Sequence, residues 1–198
     1  PNQILTNEHC VTSQGEVDVT EVRFEYQNID CDGVVSNVSE SYLGDLFSTD
    51  DYTLDSSLIT VEGESDNYLA AAIDPRLPPV GERLYITGHP AGSPKKLSLE
   101  DSDSSTGLCE VGISPVDGRG TDTDVGYYCD TEGGSSGSPV LATSSHKVIA
   151  LHHCANCPNR GVPIHLVYDD VADLLGPECT TNGDCDDGLF CNGAETCS

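Results

Sequence analysis

The sequence has few basic residues and no long apolar run, and both absences exclude functions. Lysine and arginine number 8 against 34 aspartate and glutamate residues, which gives a formal net charge of −26. Such a charge repels nucleic acid and anionic membrane surfaces; it favours cationic substrates or, more simply, solubility. No stretch of eighteen apolar residues occurs, so we expect no membrane-spanning helix. We therefore expect neither nucleic acid nor a membrane among the partners.

Tryptophan and methionine are absent, whereas 10 cysteines are scattered along the 198 residues. Scattered cysteines indicate disulfides formed in an oxidising compartment rather than one metal site. Because of these cysteines we expect a secreted protein. No signal or transit peptide is visible, so we expect that its export signal is not part of this sequence. Cys154 and Cys157 have metal or redox spacing, but neither a second such pair nor a βαβ pattern accompanies them. We interpret them as a local disulfide and predict no metal or cofactor.

A glycine-dense stretch at residues 133–140, GGSSGSPV, is the most informative part of the chain. Apolar residues flank it on both sides, which indicates a turn between two strands. Glycines around Ser136 permit backbone conformations closed to other residues, expose its hydroxyl and free the N–H groups of Gly134 and Ser136. An exposed hydroxyl beside converging N–H donors is what a nucleophilic serine requires. A flexible Gly/Ser linker is the alternative interpretation.

Two further motifs supply partners for this serine. Residues 4–10, ILTNEHC, place His9 at the end of a short apolar run. Residues 54–61, LDSSLITV, place Asp55 just before a strand-like alternation. Histidine, aspartate and serine in this order on a β-rich chain resemble the chymotrypsin/trypsin superfamily of serine proteases. Three motifs in the right order remove the linker interpretation.

The serine motif is most similar to that of secreted bacterial lysyl and glutamyl endopeptidases. GSSGSP at residues 134–139 resembles their Gly-(Ser/Asn)-Ser-Gly-Ser-Pro. The histidine motif resembles Leu-Thr-Ala-Ala-His-Cys, with Asn7 and Glu8 in place of the two alanines. Ser135 stands where trypsin has an aspartate, so activation by an ion pair with a freed N-terminus is not expected. The resemblance covers roughly residues 1–176.

The resemblance implies a catalytic triad. Ser136 would attack the scissile carbonyl, His9 would take and return its proton, and Asp55 would hold His9 in the required tautomer. The N–H groups of Gly134 and Ser136 would stabilise the oxyanion. Asp51 is a rival acid because a family-like Tyr-Thr-Leu follows it too. Only a start at Asp55 puts aliphatic residues where the family has them, so we favour Asp55.

The resemblance implies two competing specificities. Asp130 lies six residues before Ser136, where trypsin places the aspartate that pairs with substrate lysine or arginine. Thr131 and His152 fall where glutamyl endopeptidases hold a substrate carboxylate, although a lysyl endopeptidase also has a histidine near there. The negative net charge disfavours acidic substrates, so we expect cleavage after lysine or arginine. Alternatively, His152 and His153 are ordinary strand residues without a role in specificity.

The patterns and the resemblance together predict an all-β fold with two six-stranded antiparallel β-barrels and a C-terminal helix. Alternation predicts strands within residues 17–26, 55–61 and 81–90, an apolar run predicts another at 148–153, and residues 36–48 are a further strand-and-loop candidate. Helical spacing predicts a helix over residues 164–175, and the proline-rich residues 75–79 are the predicted crossover between barrels. The chain starts almost at the histidine motif, so we expect a fragment whose first barrel lacks strands.

The remaining cysteines define pairings and a second segment. Cys109 and Cys129 bracket a stretch of hairpin length and are expected to pair beside Asp130, whereas Cys10 has Cys31 or a cysteine outside this sequence as its partner. Residues 177–198 carry a cysteine every six residues among Asp, Asn and Gly, which resembles a disulfide-rich repeat appended to secreted proteins. This tail could bind calcium, but we favour a metal-free disulfide knot.

The sequence predicts a serine protease domain over residues 1–176 and a partial disulfide-rich repeat over 177–198. Its function is predicted to be that of a secreted serine endopeptidase that acts on proteins or peptides through an acyl-enzyme. A non-catalytic, protease-like binding protein is one alternative, and the complete His-Asp-Ser set argues against it. In a second alternative, the functional part of the chain is the tail, which targets the protein to a surface or a partner.

Overall fold

The computed structural model describes residues 2–30, 33, 40–63, 68–154 and 158–175. These residues form two curled antiparallel β-sheets and a short C-terminal helix. The predicted all-β, double-barrel fold with a C-terminal helix is therefore confirmed, but the two sheets form half-barrels of four and seven described strands rather than six each. The tail at 177–198, Cys31, Cys157 and residues 36–39 of one predicted strand lie outside the described residues, together with the pairings proposed for these cysteines.

The first described elements are β1 (Gln3–Thr6), α1 (Gln14–Val17), β2 (Glu21–Arg23), β3 (Ser41–Asp51) and β4 (Ser56–Val61), with a 3-10 turn at Glu8–Cys10. The four strands form the first sheet, in the order β1-β4-β3-β2. β4 is almost fully buried because it lies between two neighbours and packs its apolar residues against the chain that follows β1.

One strand boundary was predicted wrongly. The alternation from residue 17 predicted a strand, but Val17 ends α1 and strand β2 begins only at Glu21. The helical turn is held by Glu16, whose carboxylate accepts from the N–H and the hydroxyl of Thr12 at 2.6 and 2.9 Å. Ser13 precedes Glu16 by three residues, which is a helix-start signal. Val17 is fully buried beside Gly44, where any side chain would overlap it.

The later strands are β5 (Leu84–Gly88), β6 (Lys96–Ser98), β7 (Glu110–Val116), β8 (Asp124–Tyr128), β9 (Pro139–Ala142), β10 (Val148–Cys154) and β11 (Asn159–Pro163). These seven described strands form the second sheet, in the order β6-β5-β9-β10-β11-β8-β7. An antiparallel bridge between Arg83, next to β5, and Glu110 of β7 makes the sheet curl back on itself. The predicted disulfide between Cys109 and Cys129 is present and lies in the core of this sheet.

The C-terminal helix joins the two sheets. α2 (Ile164–Val171) buries Ile164, Val167 and Val171, and a 3-10 turn follows at Ala172–Leu174. The helix is therefore shorter than predicted, and Leu174, expected on its apolar face, is exposed. Leu5 of β1 packs against the buried cluster around α2. None of the helices in the described ranges is long and apolar enough to span a membrane.

Candidate active site

Three loops bring His9, Asp55 and Ser136 together between the sheets. His9 lies in the 3-10 turn after β1, Asp55 in the turn before β4, and Ser136 in the loop between β8 and β9. The Nε2 atom of His9 is 3.0 Å from the Oγ of Ser136. The Nδ1 atom of His9 is 3.0 and 2.8 Å from the two carboxylate oxygens of Asp55. A hydroxyl, an imidazole and a carboxylate thus form one continuous hydrogen-bonded chain.

The backbone conformation and hydrogen bonds around Asp55 orient its carboxylate towards His9. Asp55 is 2 % exposed and has a φ of +45°, which is unusual for a residue with a side chain. The amide of Asn7 donates to the Asp55 carbonyl at 2.9 Å, and the His9 N–H donates to the carboxylate at 3.0 Å. The rival acid, Asp51, instead accepts from the N–H of Leu54 at 2.8 Å and closes the turn.

The glycine-dense loop positions the serine and its backbone donors. Gly137, at φ +81°, packs against Thr6 of β1, where a side chain would collide with the threonine hydroxyl. The Gly133 carbonyl accepts from the N–H of Ala91 at 2.7 Å. Because a trans peptide points its N–H away from its C=O, the N–H of Gly134 faces away from Ala91. Among the described residues, no carbonyl accepts from the N–H of Gly134 or Ser136.

A second histidine, His153, also binds Asp55, although no role for it was predicted from the sequence. Its Nδ1 is 3.0 Å from Asp55 Oδ2, and its Nε2 is 2.9 Å from Asp124 Oδ2. The side chains of His153 and Asp124 are 8 % and 1 % exposed. Burial alone would lower the pKa of His153, but hydrogen bonds to Asp124 and Asp55 outweigh it and raise that pKa to about 9. The only sequence signal was a histidine pair on an apolar strand.

Arg119 is the other group that sequence reasoning missed. Its guanidinium lies 3.1 Å from Asp55 Oδ1 and 2.6 Å from Glu8 Oε2, and it stacks over the Tyr52 ring. Glu8, one departure from the family motif, therefore anchors a cation beside the candidate acid. Burial alone would raise the pKa of Asp55, but hydrogen bonds from His153 and His9 outweigh it and lower that pKa to about 2.

The three specificity candidates lie in different environments. Asp130 is exposed, and its N–H donates to the Glu100 carbonyl at 3.3 Å. Thr131 has a buried hydroxyl without a hydrogen-bond partner in the described part of the chain. His152 is 2 % exposed and its Nδ1 lies 2.6 Å from the Tyr127 hydroxyl. Burial, and secondarily the charge of His153, lower the pKa of His152 to about 4, so this histidine is neutral.

A cleft opens beside the candidate triad. Its volume is about 600 Å³, and its walls include His9, Arg119, His153 and Arg160. Only 8 of the 198 residues are lysine or arginine, yet two of them line this space. The cleft is therefore a polar groove next to the imidazole of His9, large enough for side chains of a bound peptide.

Comparison with known proteins identifies the family of the chain. A sequence model of the trypsin-like peptidase domain matches residues 1–151. Over 179 residues the chain is 32 % identical to a protein named "Secreted RxLR effector protein 73" from Plasmopara viticola, which covers 85 % of this chain. The chain spans 42 % of the length of that relative.

Solved structures of proteases share the fold. A serine endoprotease from Yersinia pestis superposes with a TM-score of 0.61 at 14 % identity, over 88 % of this chain and 54 % of its own. Rv3671c from M. tuberculosis H37Rv, in an inactive form, superposes with a TM-score of 0.57 at 14 % identity, over 90 % of this chain and 78 % of its own. At these identities, the likeness establishes the fold alone.

Proposed function

The chain belongs to the family of trypsin-like peptidase domains, and on that premise we propose that it is a serine endopeptidase. Ser136 is the nucleophile, His9 the general base and Asp55 the acid that orients His9. One observation carries this proposal: the hydrogen-bonded chain from Ser136 Oγ through His9 to Asp55, with distances of 3.0 and 2.8 Å. A nucleophile, a base and an orienting acid need such contacts to act as a unit.

The mechanism follows from these contacts. The Oγ of Ser136 attacks the scissile carbonyl carbon while Nε2 of His9 accepts its proton, and Asp55 stabilises the resulting imidazolium. The N–H groups of Gly134 and Ser136 stabilise the oxyanion. His9 then gives the proton to the leaving amine, which departs and leaves an acyl-enzyme. Water, activated by the same histidine, hydrolyses the ester and restores Ser136.

Two specificities follow from the residues near the nucleophile. Cleavage after lysine or arginine, through Asp130, is the first candidate, supported by the spacing of Asp130 and by the net charge of −26. Its weak point is that Asp130 is exposed, since an ion pair is stronger in an enclosed pocket. Cleavage after glutamate is the second candidate. The buried hydroxyl of Thr131 favours it, because a substrate carboxylate would give that hydroxyl the partner it lacks among the described residues.

Secretion and targeting complete the proposal. The relative named as a secreted effector supports an extracellular destination for this chain, and a disulfide between Cys109 and Cys129 suits an oxidising compartment. A targeting role for residues 177–198 is supported by their composition. That relative's name also supports the second candidate function, a non-catalytic effector with a protease fold.

A labelling and profiling experiment tests the proposal. The full chain, Ser136→Ala and Ser135→Ala are treated with a fluorophosphonate probe and then incubated with a mixed peptide library. We expect label on Ser136, lost in Ser136→Ala and retained in Ser135→Ala. Cuts after lysine or arginine would support Asp130, and cuts after glutamate would support Thr131 and His152. A folded chain that takes no label would contradict the peptidase proposal and favour the non-catalytic effector.

A further inference from the structure

His153 occupies a position that the three-residue mechanism does not require. It lies on β10, next to the end of the strand, and its two ring nitrogens point at carboxylates from different parts of the fold. Asp55 belongs to the first sheet, and Asp124 begins β8 of the second. All three side chains are less than a tenth exposed. Burying two acids and an imidazole together is costly unless they form a paired, hydrogen-bonded set.

The hydrogen-bond geometry determines the protonation state. A carboxylate oxygen only accepts hydrogen bonds, so a histidine that lies between two carboxylates must donate from both nitrogens. His153 therefore carries a proton on Nδ1 and on Nε2 and is a cation. Its charge offsets that of the two acids, and the guanidinium of Arg119, which lies 3.1 Å from Asp55 and 2.6 Å from Glu8, adds a second positive charge.

We propose that His153 and Asp124 are positioning residues for Asp55, and that they extend the triad into a chain of five: Ser136, His9, Asp55, His153 and Asp124. This inference rests on the proposed peptidase function. His153 holds the carboxylate from the second sheet, while His9 binds it from the first. Asp124 keeps His153 protonated and oriented by accepting from its far nitrogen.

The surroundings of Asp124 fit this role. A side chain at Gly118 would overlap the Asp124 carboxylate, so the glycine leaves the space that the acid occupies. The Oδ1 atom of Asp124 is buried without a hydrogen-bond partner in the described ranges, which leaves His153 as the group that holds this carboxylate. The charged and titratable groups that face His153 come from every element around it: Asp55, Asp124, Arg119, Arg160, His9, His152 and Cys154.

A pH effect follows from the extra cation. His153 and Arg119 both draw on the negative charge of Asp55, so less of that charge is available to stabilise a proton on His9. Since a general base must be unprotonated to act, we expect the charge of His153 to influence how far activity extends towards acid.

Asp124→Asn in the full chain tests this directly. An asparagine amide can donate to Nε2, so His153 can stay in place as a neutral ring that still donates to Asp55. We expect the acid limb of the kcat/KM profile to move up by about half to one pH unit, a loss of about three- to tenfold on that limb. Asp117→Asn is the control, because it removes a neighbouring exposed charge and keeps its oxygen for the Asp122 N–H. We expect it to leave the acid limb in place.

Imidazole NMR of the full chain gives a readout independent of turnover. His153 signals, assigned by their loss in His153→Gln, should titrate near pH 9 in the unmodified protein and at least one unit lower in Asp124→Asn. Titration of His153 near its ordinary 6.5 would overturn the inference, and so would an unchanged acid limb in Asp124→Asn. If Ser136 does not react with a fluorophosphonate, the peptidase proposal is overturned instead. The NMR titration still tests the contact between His153 and Asp55 in that case, because it does not depend on catalysis.

Discussion

The two sheets contribute unequal shares of the candidate site. The four-stranded first sheet supplies His9 and Asp55 from the turns next to β1 and β4. The seven-stranded second sheet supplies Ser136, the loop with its N–H donors, and the pair His153 and Asp124. Neither sheet holds a complete Ser-His-Asp set.

The contacts between the sheets explain how this divided site is kept in register. At the candidate triad they cross the boundary from Ser136 to His9, and from His153 and Arg119 to Asp55. Gly137 adds a close approach to Thr6. A site shared by two sheets therefore depends on their relative placement. The following variants separate what each sheet contributes, from the largest expected effect to the smallest.

Ser136→Ala removes the contribution of the second sheet at its centre. We expect kcat on a cleavable peptide to fall by about 10⁶-fold, because a triad without its nucleophile retains only binding and oxyanion stabilisation. The melting temperature should change little, since the hydroxyl contacts only His9 among the described residues. Steady-state turnover of a peptide chosen from the library measures this. Turnover within tenfold of the parent would assign the nucleophile elsewhere.

Asp55→Asn removes the contribution of the first sheet. We expect kcat to fall by about 10⁴-fold near neutral pH, because an amide can fix the wrong tautomer of His9. The matched control is Asp51→Asn, which keeps an oxygen for the Leu54 N–H and should retain activity. Peptide turnover at several pH values tests both. Equal losses in the two variants would refute the assignment of Asp55 over Asp51.

Replacing Cys109 and Cys129 with alanine tests the second sheet alone. The disulfide closes a loop with a sequence separation of 20, so its loss should lower the free energy of unfolding by about 3 kcal/mol. Urea denaturation of the parent and the double variant measures this difference. Peptide turnover in the absence of urea should remain, because neither sulfur is in the hydrogen-bonded chain. If a folded double variant no longer takes label on Ser136, the disulfide does more than stabilise the second sheet, and this prediction is contradicted.

Asn7→Ala tests the support of the first sheet for Asp55. The variant leaves the Asp55 carbonyl without the donor that now lies 2.9 Å away. We expect a loss of about 1–3 kcal/mol in unfolding free energy and a lower kcat, with KM nearly unchanged. Urea denaturation and steady-state kinetics test the two effects. Retained stability and kcat would mean that the Asn7 contact does not support Asp55.

The adjacent histidines His152 and His153 should give opposite pH dependences of stability. The pKa of His152 is lowered to about 4 in the fold, so its contribution is present above pH 6.5 and is lost as pH falls towards 4. The pKa of His153 is raised to about 9, so its contribution is present below pH 6.5 and is lost as pH rises through 9. Melting temperatures from pH 4 to 10 should therefore lose their acid decline in His152→Gln and their alkaline decline in His153→Gln. If the dependence of melting temperature on pH is unchanged in both variants, the lowered pKa of His152 and the raised pKa of His153 are contradicted.

Local motifs were enough to predict the residues that now lie together at the candidate triad. His9, Asp55 and Ser136 each lie in a short segment whose composition predicts a turn or the end of a strand. The glycines around Ser136 also indicate that its backbone adopts a conformation closed to other residues. The local pattern also predicted β4, β5 and β10, of which β5 buries alternate residues whereas β4 and β10 are buried almost throughout. Val17 was predicted wrongly because its alternation is also compatible with the helical turn that Glu16 stabilises.

The contacts around His153 could not be read from any segment. His153 is 98 residues from Asp55 and 29 from Asp124 in sequence. β11 pairs with both β8 and β10 and lies between them, so the approach of Asp124 to His153 depends on the whole sheet. An irregularity between His152 and Cys154 shifts the register at this point. Long-range packing, rather than local propensity, therefore created the part of the site that the sequence did not reveal.

The most direct test of the central claim is the rate at which Ser136 reacts with a fluorophosphonate across pH, measured on the full chain by mass spectrometry. An activated serine should react far faster than an exposed serine such as Ser145, and its rate should fall on the acid side as His9 becomes protonated. His9→Ala should remove both the rate advantage and the pH dependence. A Ser136 that reacts no faster than Ser145 at any pH would contradict a working triad, whatever its distances.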